Sequence, residues 1–211
     1  MARCPLCSER PAKRFCPAKD TSICPVCCGT KREVEIDCPA ACSYLQAGRS
    51  YESERRTLDP DLLARVKPLG DDFLYRFSAV MNVLSLGVLE ERQRSPWLVD
   101  VDVIEAYKGL HSTLKTLEGG IHYETVPEGA VRASLYHRLK KTLDDMMQAQ
   151  ADATPALKVS EAMQVMDFLA FAATVNSNPR PKSRQYLDWI TGMATAAGAA
   201  QEQQSSRLIV P

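Results

Sequence analysis

All eight cysteines of this 211-residue chain fall within its first 42 residues. They read Cys4-x2-Cys7-x8-Cys16-x7-Cys24-x2-Cys27-Cys28-x9-Cys38-x3-Cys42. Cysteine thiolates are soft ligands, and four of them at tetrahedral corners hold a zinc ion. A two-residue gap suits chelation by one tight turn, and Pro5 and Pro25 preset the backbone just after the first cysteine of each short pair. Interleaved fingers take alternate pairs along the chain. On that logic Cys4, Cys7, Cys24 and Cys27 form one site, and Cys16, Cys38 and Cys42 contribute to a second. The fourth ligand of the second site is Cys28, with Asp20 as the alternative. Cys28 meets a geometric objection, because it adjoins Cys27 and must point to a different metal.

Other uses of these sulfurs are weaker readings. A redox Cys-x2-Cys sits beside a βαβ pattern, which the sequence lacks. Free structural cysteines at this density are disfavoured. Iron is the nearest rival, since Cys-Pro-x-Cys knuckles also hold a single iron. Catalytic zinc is disfavoured because an all-thiolate site keeps no open position for water or substrate. The expected cofactor is therefore zinc, as two structural ions.

Phe15-Cys16-x7-Cys24-x2-Cys27, with Ile23 before Cys24 and a Cys-x2-Cys upstream, resembles a B-box-type zinc finger. The resemblance covers residues 4–42. It implies two structural zincs in a small cross-braced ββα-like unit used for protein–protein contacts or self-association. It places first-site ligands on Cys4, Cys7, Cys24 and Cys27, and second-site ligands on Cys16, Cys38 and Cys42. The chain departs from that pattern: it has Cys where the family usually has His, at Cys7 and the last two ligand positions. Lys19 stands near the place of an expected acidic ligand, with Asp20 one step later.

The rest of the chain must support this unit. A segment of about 40 residues cannot bury enough apolar surface to be stable without metal or disulfides, whereas some 150 residues can hold a real core. Hydrophobic residues make up 45% and charged residues 25%, a balance that supports a folded, soluble body. No secretory signal pattern is read at the amino terminus, and the apolar run at 168–175 is too short to span a bilayer. A reducing, cytoplasmic setting is expected, where cysteine pairs bind metal in preference to bonding each other.

The sequence predicts a mainly α fold, with a small cross-braced double-zinc finger followed by a five- to six-helix bundle. Residues 1–45 form the zinc unit, 46–58 a linker or polar helix, 59–197 the bundle and 198–211 a flexible, small and polar tail. Pro68 and Gly70 break a first short helix after Asp59-Pro60. Helical spacing then predicts a helix over 71–92 with Phe73, Phe77, Val80, Leu84 and Val88 on one side. The next covers 100–118 (Val103, Tyr107, Leu110, Leu114, Leu117) and is stopped by Gly119-Gly120. A fourth begins near Pro127, with Val131, Leu135, Leu139 and Leu143 as its stripe. A fifth, from Ser160, is apolar on most faces and expected to be central. A sixth starts near Ser183.

Net charge is zero, which gives no general pull toward nucleic acid. Residues 1–56 carry ten Lys/Arg and seven acids, and two four-thiolate zincs would bring that region to about −1. A nucleic-acid-binding zinc protein is therefore a minor alternative. A second alternative rests on Arg132 and His137, whose Arg-x4-His spacing resembles the motif of HEPN-type helical RNases. That likeness implies His and Arg acting on RNA phosphates; the bland alternative is a solvated helix face. The paired acids Glu90-Glu91 and Asp144-Asp145 are read as solvated, as is the basic run Arg138, Lys140 and Lys141. No phosphate loop, dinucleotide fingerprint or serine elbow is present. The sequence thus points to a zinc-binding interaction or scaffold protein and away from an enzyme. A protein partner is expected and a membrane is not; self-association is left open.

Overall fold

The computed structural model describes residues 2–55, 60–148 and 157–207. It is mainly helical, with one two-stranded sheet among the described residues. Strands β1 (Arg14–Cys16) and β2 (Thr21–Ile23) pair antiparallel, with Phe15 opposite Ser22 and Cys16 opposite Thr21. Asp20 turns the hairpin with a φ of 48°, a left-handed conformation that Asp tolerates. Helix α1 (Pro25–Lys31) follows at once, with Cys24 as its N-cap and proline at its first position. Apart from Ile23 and Ile36, the small core here is made of cysteines, with Cys4, Cys16, Cys24 and Cys27 buried.

Helix α2 (Ser43–Ser53) starts inside the stretch assigned to the cysteine unit and covers 46–53 of the 46–58 stretch read as a linker or polar helix. It buries Leu45 and passes tightly over the buried Arg32. A Cβ at Gly48 would lie 1.4 Å from the Arg32 guanidinium, so only glycine leaves that side chain in place.

The helical body begins with α3 (Pro60–Val66), a 3₁₀ turn over Lys67–Leu69, and α4 (Gly70–Arg94). It continues through α5 (Asp100–Glu118), α6 (Ala130–Gln148), α7 (Val159–Val175) and α8 (Gln185–Arg207). The predicted stripes are the core: Phe73, Phe77, Leu84 and Val88 from α4 meet Val103, Tyr107, Leu110 and Leu114 from α5 and Leu135, Leu139 and Leu143 from α6. Helix α5 ends as its glycines foretell. Gly120 takes φ 77°, and the amide of Ile121 reaches back to the Thr116 carbonyl.

Three sequence readings change. Helix α7 shares the centre with α5, which packs against α6, α7 and α8. Residues 198–206, read as a disordered polar stretch, continue α8; Ala, Gln and Glu dominate them, and these are good helix formers. Asp59 and most of 147–155, along with 208–211, lie outside the described residues. Glu91, read as solvated, is buried at 2% exposure. It accepts hydrogen bonds from Ser134 (2.9 Å), Arg138 (3.0 Å) and Ser95 (3.3 Å). Burial alone would raise its pKa, but these donors hold its carboxyl below the ordinary value.

Asp100 is another buried carboxylate that ties distant segments. It is fully buried. Its side chain accepts from the hydroxyls of Ser177 (2.8 Å) and Ser183 (2.7 Å) and from the amides of Tyr186 and Leu187 (3.1 Å each). Those amides are orphan donors in the first turn of α8. Asp100→Ala is expected to cost about 3 kcal/mol by leaving them unsatisfied. Chemical denaturation should show this, with Asp100→Asn losing less.

Candidate metal centre

The hairpin and α1 position the first quartet. Cys4 and Cys7 sit on a turn closed by the Ser8 amide donating to the Cys4 carbonyl at 2.7 Å, with Ser8 at φ 56°. Cys24 caps α1 and Cys27 lies in its first turn, where the Cys27 amide donates to the Cys24 sulfur at 3.3 Å. The sulfurs of Cys4, Cys7, Cys24 and Cys27 all lie within 4.8 Å of one another, and Cys7 Sγ and Cys24 Sγ are 3.9 Å apart. A zinc–sulfur bond of about 2.3 Å sets a tetrahedral edge of about 3.8 Å. None of the eight cysteines is in a disulfide. The donor set and its spacing fit one closed, four-coordinate metal site.

The electrostatics agree with that use. Burial disfavours the Cys4 thiolate, but hydrogen bonds from the backbone of Cys24, Leu6 and Cys7 outweigh it and bring the pKa down to about 6. Burial raises the Cys27 thiol to about 12, reinforced by its hydrogen bonds to Cys24, Cys7 and Cys4. The quartet thus combines a ready thiolate with a thiol that keeps its proton against its neighbours. A divalent ion would displace that proton and neutralise the crowded sulfurs.

The other four cysteines share one cavity wall without closing into a second quartet. Cys16, Cys28, Cys38 and Cys42 line one small cavity beside Ile23 and Ile36. Burial raises the Cys38 thiol, opposed by a hydrogen bond from the Glu33 backbone and reinforced by negative charge at Cys42, Glu33 and Cys16. Among the described residues only the first quartet closes to within 4.8 Å. Asp20 is exposed at the hairpin turn and is not part of the cavity wall. The adjacency of Cys27 and Cys28 is resolved by α1. Successive residues on a helix diverge by about 100°, so one sulfur faces each set.

What the sequence did not disclose is how this unit joins the helical body. Glu33 has φ 51° and is 1% exposed. Its carboxylate accepts from Arg49 Nη2 at 2.7 Å and from Asn178 Nδ2 at 2.9 Å, and its carbonyl accepts from the Lys182 amide at 2.8 Å. Arg49 bridges onward to Asp188 at 2.9 Å, and Asp188 also takes Arg92 at 2.7 Å. Arg184 pairs with Asp37, and Arg180 with Glu52 at 2.6 Å. Glycine-like geometry at a glutamate leaves no trace in sequence.

Arg132 and His137 are not brought together. They stand five residues apart on α6, about 140° around the helix. Arg132 is tied to Asp102 at 2.7 Å, while His137 is exposed beside the Tyr136 ring. Arg132 does line a cleft of about 910 Å³ with Val101, Ile104, Lys108 and Arg180. The three cations there are already paired with Asp102, Glu105 and Glu52.

The chain is thus a mainly helical protein with an amino-terminal cysteine cluster able to hold metal. Comparison with family models, with curated proteins and with solved structures gives no match.

Proposed function

We propose that the protein is a zinc-stabilised interaction or scaffold protein, in which two structural ions fix the amino-terminal unit against a helical partner-binding body. The observation that carries the reading is the mutual approach of four sulfurs to within 4.8 Å in a unit with almost no other core. An all-thiolate, closed site leaves no coordination position for substrate, so the metal acts as a staple. A second ion would fall to Cys16, Cys28, Cys38 and Cys42, which line one cavity but whose sulfurs do not close together as the first quartet does. The clasp through Glu33 supports a rigid composite surface of finger and helices, suited to docking a protein.

Elemental analysis of the purified chain tests this directly. Two zincs per chain are expected. One equivalent would restrict metal to the first quartet, and iron with visible absorption would replace zinc altogether. Capture of protein partners should then depend on the finger, being lost in Cys24→Ser.

A further inference from the structure

Helix α4 is the longest helix among the described residues and carries a long apolar stretch, yet that stretch is poorly covered. By length and composition it passes as a membrane span, with only 28% of its most apolar stretch buried. One face, through Phe73, Phe77, Leu84 and Val88, is core. The opposite face is open: Tyr75 is 89% exposed and Leu86 51%. Tyr75, Ala79, Asn82 and Leu86 follow at spacings of four, three and four, with Val83 and Leu74 on the flanks. That is the spacing of a two-helix seam, in which one polar residue such as Asn82 fixes register. A solvated helix face has no use for it.

The charges select the occupant. Asp71 and Asp72 stand exposed at the start of α4, and Arg94 stands exposed at its end. We propose that this face pairs with the same face of a second copy of the chain, antiparallel, about a two-fold axis beside Asn82 and Val83. That axis sets Asp71 and Asp72 of each copy opposite Arg94 of the other. A parallel pair would set like charges together at both ends. A bilayer fits less well, because interfacial helices carry Lys and Arg along their polar edge. This stripe holds Asn82 at its middle and two acids at one end. Isologous pairing of this kind is the commonest symmetry of soluble oligomers.

Sedimentation of the full, metal-loaded chain tests the pairing. The wild type should sediment at twice 23.4 kDa at micromolar concentration. Leu86→Glu, at a half-exposed position, should raise the dissociation constant at least about 100-fold with unchanged circular dichroism. Charge reversal gives an independent readout. Arg94→Glu alone, and Asp71→Lys with Asp72→Lys alone, should each weaken the dimer. Mixing the two variant chains should restore it, because each reversed end then meets its complement. A wild type that is monomeric at 100-fold higher concentration overturns the proposal. So does a dimer indifferent to Leu86→Glu, or a mixture that stays monomeric. A monomeric chain that floats with phosphatidylcholine–phosphatidylserine vesicles would assign the face to a membrane instead.

Discussion

Cys24→Ser is expected to strip at least one metal equivalent from the protein and to unfold its first 42 residues. Cys24 is fully buried, caps α1 and stands within the first quartet. A structural zinc contributes about 10–16 kcal/mol to folding. The surrounding unit offers Ile23, Ile36 and little else to replace that energy. Hydrogen exchange should report it, with protected amides in β1, β2 and α1 becoming unprotected. The core built on Leu84, Leu110, Leu139 and Val165 contains no residue of the finger and should keep most of its helical circular dichroism. Chelation of the wild type should reproduce this pattern. Retained protection across Cys24–Lys31 in the variant would remove metal from the account of this fold.

Glu33→Ala should destabilise the whole protein without touching a sulfur. Its loss leaves Arg49, whose side chain is 13% exposed, with Asp188 alone, and leaves the Asn178 amide with only its 3.5 Å contact to Gln185. Breaking a buried pair by removing one partner costs about 3–5 kcal/mol. For a chain of this length that lowers Tm by about 10 °C. Two companion variants separate the causes. Glu33→Gln keeps the shape and one acceptor and should lose less. Glu33→Gly also loses the carboxylate, but it relieves the left-handed backbone at φ 51°. It should therefore recover about 1 kcal/mol relative to alanine. Calorimetry showing alanine and wild type within 1 °C would mean that the clasp contributes nothing.

The contrast between these two sites explains what could be read in advance. Cys4, Cys7, Cys24 and Cys27 announce themselves because ligand chemistry restricts both residue type and local spacing. The stripes of α4, α5 and α6 were legible for a similar reason, since a helix repeats its buried face every three to four residues. Glu33 and Glu91 carry no such mark. A glutamate reads as solvated until its partners are known, and Asn178 lies 145 residues from Glu33. The separation of Cys27 from Cys28 was hidden until α1 was seen to begin at Pro25. The continuation of α8 through 198–206 was hidden by composition, because Ala, Gln and Glu serve disordered chains and helices alike.

The positions of these residues along the chain also dictate an order of events during synthesis. The first quartet is complete once Cys27 has left the ribosome, long before Leu110, Leu139 or Val165 exists. A metal ion can therefore close the finger around a nascent chain that has no helical core. Arg49 and Glu33 then wait for Asn178 and Asp188; Asn178 is made 145 residues after Glu33. The finger is built before the helical body and latched to it only once Asn178 and Asp188 exist, and through that interval its charged underside faces water.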